Sequence, residues 1–322
     1  MATVKKSTKK TGAEGISGLR KLSDFEPREK VPTGITTVDR ILEGGIPKGT
    51  ITEVFGVEGG GKTCIATMLA GEAQKHGEVV YFDLENCFDS RKAINSGVNP
   101  EELLFGDPED GEHMFSIIEE ALGSPGVSLI IVDSVTAIST AAQIAGDYGD
   151  AQVAQLARLL SPALNNINTF MRKNNPDTIL FFINQIREKV GGMGGFQAGP
   201  QTYTPGGRAL KFYSSTRLKV ARKENIKAGD TVVGQQVVVE TVKARFAPQL
   251  QKATFDLYYE DGVSNESPVF DDAVKSGRLL VAGGGWVTDT VTGEKVGQGK
   301  IKVLSKMKED REFYDSLVAS TS

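Results

Sequence analysis

Gly56-Val57-Glu58-Gly59-Gly60-Gly61-Lys62-Thr63 constrains the fold of this chain more than any other segment, because it fits the pattern G-x-x-x-x-G-K-[ST]. Upstream, Thr50-Ile51-Thr52-Glu53-Val54-Phe55 alternates like a buried strand, and downstream Cys64-Ile65-Ala66-Thr67-Met68-Leu69-Ala70 reads as the first turns of a helix. A glycine-rich turn between strand and helix aims successive backbone N–H groups and the helix dipole at one point, which makes an anion site. Lys62 then reaches the β- and γ-phosphates of a nucleoside triphosphate, and the Thr63 hydroxyl coordinates Mg²⁺. A glycine-rich turn can match the pattern by chance; the flanking strand and helix argue against that.

With 322 residues the chain is long for one domain and short for three, so a main domain with appendages is expected. A hydrophobic content of 39% with 24% charged residues describes a soluble globular protein. The longest apolar runs, such as Leu129-Ile130-Ile131-Val132, are too short to span a bilayer, and no apolar core follows the N-terminal lysines as in a secretory signal. No membrane partner and a cytoplasmic location are therefore expected. The two cysteines, Cys64 and Cys87, suit small side chains in a reducing compartment rather than a disulfide. His76 and His113 stand outside any metal-ligand cluster. A net charge of −4 does not advertise nucleic-acid binding, yet a local basic groove matters more than the sum.

Along the chain, residues 1–31 form a basic arm, either a solvated tail or a DNA-contacting or subunit-linking extension. Residues 32–264 alternate strand and helix. Val79–Asp83, Leu129–Asp133 and Thr178–Asn184 are compact apolar runs, each ending in a polar residue. That predicts an α/β fold with a mostly parallel sheet covered by helices on both faces and ligands at the carboxyl ends of its strands. Thr216–Val220 and Gln236–Val242 look like strands that extend the sheet in antiparallel fashion. Residues 265–322 change texture to a small glycine-punctuated α+β unit, with Trp286, a hairpin at Thr292-Gly293 and helices at Lys300–Lys308 and Asp310–Val318.

The strand ends carry the chemistry. Asp133 suits a carboxylate that holds Mg²⁺ beside the phosphate loop through water, with a turn cap as the plainer alternative. Glu85, two residues past Asp83, is a candidate to polarise the water that attacks the γ-phosphate. Asn184-Gln185 is followed by a long loop rich in glycine, with Arg187, Lys189 and Arg208 and the separated Met193, Phe196 and Tyr203. Such a loop inside a compact domain suits flexible single-stranded nucleic acid, with charge tracking phosphates and apolar groups wedging or stacking on bases; a lid over a small substrate competes. Gln185 at its root can sense the γ-phosphate and switch the loop between ordered and disordered forms.

The phosphate loop together with Phe82-Asp83-Leu84-Glu85, Ile131-Val132-Asp133-Ser134, Phe182-Ile183-Asn184-Gln185-Ile186-Arg187 and Gly206-Gly207-Arg208-Ala209-Leu210-Lys211-Phe212-Tyr213 resembles the RecA family of homologous-recombination ATPases, from about Pro32 to about Lys308. Gly293-Glu294-Lys295-Val296-Gly297-Gln298-Gly299-Lys300 is similar to the small C-terminal domain of its bacterial branch. The resemblance implies a RecA-like core in which Glu85 is the catalytic glutamate, Lys62 acts on the phosphates and Gln185 is the γ-phosphate sensor. Lys243 and Arg245 match the cations that reach across the subunit boundary to the neighbour's γ-phosphate. The implied nucleotide set is Gly56, Val57, Glu58, Gly59, Gly60, Gly61, Lys62, Thr63 and Cys64, with Asp89 and Tyr259 near the adenine and Thr63 and Asp133 serving Mg²⁺. Residues 145–154 and 186–207 match the two DNA-binding loops, and Arg158, Arg187, Lys189, Gly206, Gly207 and Arg208 are the implied DNA contacts. Lys92 replaces the usual adenine-stacking tyrosine, and Asn165 stands where a DNA-binding arginine is expected.

The resemblance thus implies an ATP- and Mg²⁺-using, DNA-dependent ATPase that forms a homo-oligomeric helical filament on single-stranded DNA, takes double-stranded DNA as second substrate and promotes pairing and strand exchange. Single-strand-binding and mediator proteins would be its partners in the cytoplasm of a bacterium or of a virus-infected host. A ring helicase on the same core is the nearest alternative, but it leaves the C-terminal resemblance unexplained. A P-loop kinase would need an acceptor pocket and a lid. A non-catalytic adaptor is opposed by intact Lys62, Thr63, Glu85 and Asp133.

Overall fold

The computed structural model describes residues 26–146, 152–174, 176–188 and 202–321. Its centre is a nine-stranded sheet made of β1 (Ile51–Gly56), β2 (Glu78–Asp83), β3 (Leu103–Phe105), β4 (Val127–Asp133), β5 (Ile179–Gln185), β6 (Thr216–Ala228), β7 (Thr231–Ala244), β8 (Lys252–Tyr258) and β9 (Gly262–Ser264). The strands lie in the order β9-β8-β7-β6-β1-β5-β4-β2-β3. From β3 to β6 every pairing is parallel, and β7, β8 and β9 then follow antiparallel.

Every residue of β1 and of β4 is buried, as expected for strands covered on both faces. Their side chains alternate between two cores. One face gathers Val54, Tyr81, Ile131 and Phe181 against Ile65 and Leu69 of α2 (Lys62–Ala73). The other gathers Val80, Phe82, Ile130 and Phe182 against Met114 and Ile118 of α4 (Gly111–Gly123) and Leu160, Leu164 and Ile167 of α6 (Gln152–Asn174). Each such aliphatic side chain stabilises the fold by about 1.5–3 kcal/mol relative to its exposed state. The shorter helices are α1 (Thr36–Ile41), α3 (Ser90–Asn95), α5 (Ala141–Ala145) and α7 (Ala209–Tyr213).

One expectation is corrected. Thr216–Val220 is parallel to β1, not antiparallel, and the reversal begins only at β7. The chain leaves the carboxyl end of β5 and returns through α7 to the opposite end of the sheet, where the Ser215 amide donates to the Ile51 carbonyl. The tight turn at Gly229-Asp230 then forces β7 back on β6, with Gly229 at a φ of 62°.

Beyond β9, helices α8 (Glu266–Lys275), α9 (Lys300–Glu309) and α10 (Arg311–Thr321) pack on an antiparallel sheet of β10 (Leu279–Val281), β11 (Trp286–Asp289) and β12 (Lys295–Gln298). Phe270, Leu279, Val287, Val303 and Leu317 form its core. Asp256 on β8 ties this unit to the large sheet: it accepts from the Ser267 hydroxyl and pairs with Lys300 at 3.2 Å. At the other end of the chain, Lys30–Val31 forms a short antiparallel ribbon with Ile46–Pro47, so the last residues of the basic arm lie on the core.

Candidate active site

The phosphate loop lies where β1 meets α2, between the ends of β5 and β6. Gly56 is needed for this close approach, since a Cβ there would collide with the Val220 carbonyl oxygen. Gly59 and Gly61 have φ of 67° and 95°, the left-handed region that glycine enters freely. The loop opens on a cleft of about 730 Å³ lined by residues Glu58–Cys64, Glu85, Asp89, Asp133, Gln185 and Tyr259 among others. Gly56 and Val57 do not line the cleft; their carbonyls accept from the Lys62 ammonium at 3.2 and 2.8 Å and hold it beneath the loop. Burial lowers the affinity of Lys62 for its proton, and Asp133, Glu85 and Glu58 oppose that shift.

The two carboxylates of the site have separate surroundings. Asp133 is buried and accepts from the Thr63 hydroxyl at 2.9 Å and from the Tyr81 hydroxyl at 2.8 Å. Burial raises its pKa, and the two hydroxyls only partly offset the rise. Glu85 accepts through one oxygen, Oε1, from the Gln185 side-chain amide at 2.9 Å and from the Ser134 hydroxyl. Ser134 is itself 2.5 Å from the Thr136 hydroxyl. Tyr81 and Thr136 carry no motif that marks them in the sequence; Ser134 closes the Ile131–Ser134 segment, but that segment gives it no role of its own.

At the far end of the cleft, Asp89 caps α3 by accepting from the Arg91 and Lys92 amides at 3.1 and 3.3 Å, and it lies 3.6 Å from the Lys92 ammonium. Lys92 and the exposed Tyr259 line the same region. Cys64 also faces the cleft, but burial pushes its thiol pKa up to about 12, so it stays an inert thiol.

Lys243 and Arg245 are not in this cleft. Lys243 sits opposite Arg217 in the β6–β7 register, and the Arg245 amide donates to the Ser215 carbonyl. Both therefore stand at the amino end of β1, the end opposite the phosphate loop. The Lys243 ammonium donates to the carbonyls of Lys211 and Phe212 at 2.9 and 3.0 Å, and Phe212 is 72% exposed. Nothing in the sequence marks Phe212 as a surface residue in its own right.

Of the implied DNA contacts, Arg158, Arg187 and Arg208 are exposed. Arg187 pairs with Tyr203 in a two-residue ribbon that closes the stem of the second loop. Gly206 and Gly207, at φ of 86° and 72°, pack on α6 at Leu160 and Ala157, one residue from Arg158. At the first loop, α5 runs to Ala145 and α6 begins at Gln152. Lys189 and most of both loop tips lie outside the described residues. No helix among the described residues is long and apolar enough to cross a membrane, and none of their carboxylates, thiols and imidazoles form a metal cluster.

A Gly-rich loop, a buried lysine and paired strand-end carboxylates on an open, mostly parallel sheet define a P-loop ATPase. The RecA N-terminal domain family matches residues 1–264. The chain is 39% identical over 311 residues to Protein RecA of Aquifex aeolicus, covering 96% of this chain and 87% of that protein. It is 41% identical over 287 residues to Protein RecA of Bdellovibrio bacteriovorus, covering 88% and 74%, and 39% identical over 319 residues to that of Macrococcus caseolyticus, covering 98% and 87%. The chain belongs to the RecA family. It is a DNA-dependent ATPase that forms filaments on single-stranded DNA and catalyses homologous pairing and strand exchange.

Proposed function

We propose that this recombinase hydrolyses ATP at the boundary between successive subunits, with one subunit supplying Lys62, Thr63, Glu85, Asp133 and Gln185 and the next supplying Lys243 and Arg245. The observation that carries this reading is the placement of the two cations at the end of β1 opposite Gly56–Thr63. A single subunit cannot bring both sets to one phosphate, whereas head-to-tail stacking does so at every junction and leads to an open helix.

The cleft fits ATP by size and by its convergent loop amides, with Asp89 and Tyr259 at the adenine end. The oxygens of Thr63 and Asp133, 2.9 Å apart, are the hard donors that suit Mg²⁺, directly for the hydroxyl and through water for the carboxylate. Mg²⁺ held there would neutralise charge on the phosphate oxygens. Because Gln185 and Ser134 both donate to Oε1 of Glu85, Oε2 is left to orient a water molecule. That water attacks the γ-phosphorus, Glu85 receives its proton, and the bond to the ADP oxygen breaks. Lys62 and the neighbour's Lys243 and Arg245 stabilise the charge on the transferred group, in the manner of an arginine finger.

Gln185 joins this site to the DNA, since Arg187 at the stem of the second loop lies two residues beyond it. Arg158, Arg187, Lys189 and Arg208, with the Gly206 and Gly207 amides, track the phosphates of the single strand, and base pairing reads the incoming duplex. We assign residues 1–31 to a basic N-terminal arm, a solvated tail or a subunit-linking extension, 32–264 to the ATPase core and 265–322 to a small C-terminal domain. Single-strand-binding and mediator proteins are its expected partners, and the cytoplasm its compartment. ATP turnover with and without single-stranded DNA, measured on samples also imaged by negative stain, tests the reading. Stimulated turnover in helical filaments is expected; rings, or indifference to DNA, would overturn it.

A further inference from the structure

A row of polar side chains crosses four adjacent strands on the α6 face of the sheet, where apolar packing is the rule. Glu53 on β1 is fully buried. Its Oε2 accepts from the Arg217 Nε on β6 at 2.5 Å, and its Oε1 accepts from the Asn184 side-chain amide on β5 at 3.0 Å. Arg217 stacks over the Phe55 ring at 4.4 Å and stands opposite Lys243 on β7. Asn184 also donates to the Pro205 carbonyl at 3.2 Å and accepts from the Gln185 amide at 2.9 Å. One carboxylate is thus held from both directions, by the strand end that carries Gln185 and by the strand that faces Lys243.

A buried carboxylate is costly, and a fold that needed only stability would place an apolar residue here. The neighbours of Glu53 show what else it can do. Pro205 immediately precedes Gly206-Gly207, so Asn184 fixes both the root of the γ-phosphate sensor and the far end of the second DNA loop. Arg217 and Lys243 are like charges in register, and Glu53 is the carboxylate that offsets both. Burial lowers the proton affinity of Lys243, Arg245 and Arg217 lower it further, and Glu53 opposes them.

We propose that Glu53 is a positioning residue shared by the two nucleotide sites to which each subunit contributes, holding Gln185 of one through Asn184 and Lys243 of the next through Arg217. This inference rests on Lys243 acting across the subunit boundary. The γ-phosphate state at one junction then reaches the cation lent to the adjacent junction through a single buried carboxylate, so that successive sites fire cooperatively.

The test is the dependence of single-stranded-DNA-stimulated turnover on ATP concentration in the full-length protein. Wild type is expected to give a sigmoidal curve. Glu53→Gln keeps the shape and an acceptor for Asn184 but removes the charge; its Hill coefficient should fall to about one and its kcat by about tenfold, while binding of a fluorescent ATP analogue without DNA stays within about twofold. A double variant, Glu53→Gln with Arg217→Met, removes both buried charges and guards against a simple folding defect, which thermal melting reports. It should melt cooperatively and still lack sigmoidality. A hyperbolic wild-type curve, a Glu53→Gln curve as sigmoidal as wild type, or restored sigmoidality in the double variant overturns the proposal. Lys243→Ala separates the two levels: wild-type turnover in that variant would refute the cross-boundary reading and this proposal with it. Loss of turnover there beside unchanged cooperativity in Glu53→Gln would refute this proposal alone.

Discussion

At the scale of single residues, the site is organised by the different surroundings of its charged groups. Lys62 is tethered by the two loop carbonyls, directly beneath the amides that would cradle a phosphate. Lys62→Ala should abolish turnover in a steady-state phosphate-release assay, and wild-type turnover would dismiss the site. Asp133 gives a prediction with a sign. Its pKa is raised in the folded protein, so the folded state holds the proton more tightly than the unfolded one. Its contribution to stability is therefore lost as pH rises from the ordinary aspartate range, about 3.9, through the raised value. Asp133→Asn should stabilise the ligand-free protein at pH 8, where the buried carboxylate is charged. The gain should vanish below about pH 4, where the wild-type carboxyl is already neutral, while turnover is lost throughout. Urea unfolding at the two pH values measures the difference.

At the scale of elements, strand β1 joins the parts of the site. Its carboxyl end feeds the phosphate loop, its neighbour β5 ends in Gln185, and its neighbour β6 pairs with the strand that carries Lys243. Gly56→Ala would push β6 away from β1 and should destabilise the fold by about 3 kcal/mol in denaturant titration, as overpacking does. Unchanged unfolding would show that the β1–β6 spacing can give. The sequence makes much of this legible: compact apolar runs ending in Asp83, Asp133 and Asn184 announce covered strands with chemistry at their ends. It does not reveal strand direction, which is why the antiparallel expectation for β6 fails. The crossover through α7 sets that direction, and no local pattern in Thr216–Val220 records it. Nor does it reveal the Glu53–Arg217 pair, 164 positions apart, because a carboxylate in an alternating run reads as solvent-facing until a partner strand is placed beside it. Tyr81 is hidden for the same reason, as one more aromatic in an apolar run whose hydroxyl meets Asp133 only after β2 and β4 pair.

At the scale of the whole molecule, the C-terminal unit is clamped to the large sheet by Asp256. Burial pushes its carboxyl pKa up, but the Ser267 hydroxyl and the Lys300 charge outweigh that and leave it lowered. A lowered value stabilises the fold above the ordinary aspartate range, and the benefit is lost as pH falls through the folded value. Asp256→Asn should therefore melt below wild type at neutral pH, with the two curves converging in acid; a constant gap in differential scanning calorimetry would remove Asp256 from that role. Across the boundary between subunits, Lys243→Ala should lower DNA-stimulated kcat by about 10³-fold, the scale of an arginine finger, while ATP binding by free subunits is retained in a fluorescent-analogue titration.

The opposite placement of the phosphate loop and of Lys243 with Arg245 also has an arithmetic consequence. If those cations complete a neighbour's site, two copies related by a twofold axis cannot complete each other's sites through one contact, and any open stack leaves a loop without cations at one extremity and cations without a loop at the other. Such an assembly holds one fewer working site than it has members. Short stacks should therefore turn over less ATP per protomer than long ones, and the terminal copy should grip its nucleotide unspent, giving the polymer a chemically distinct head.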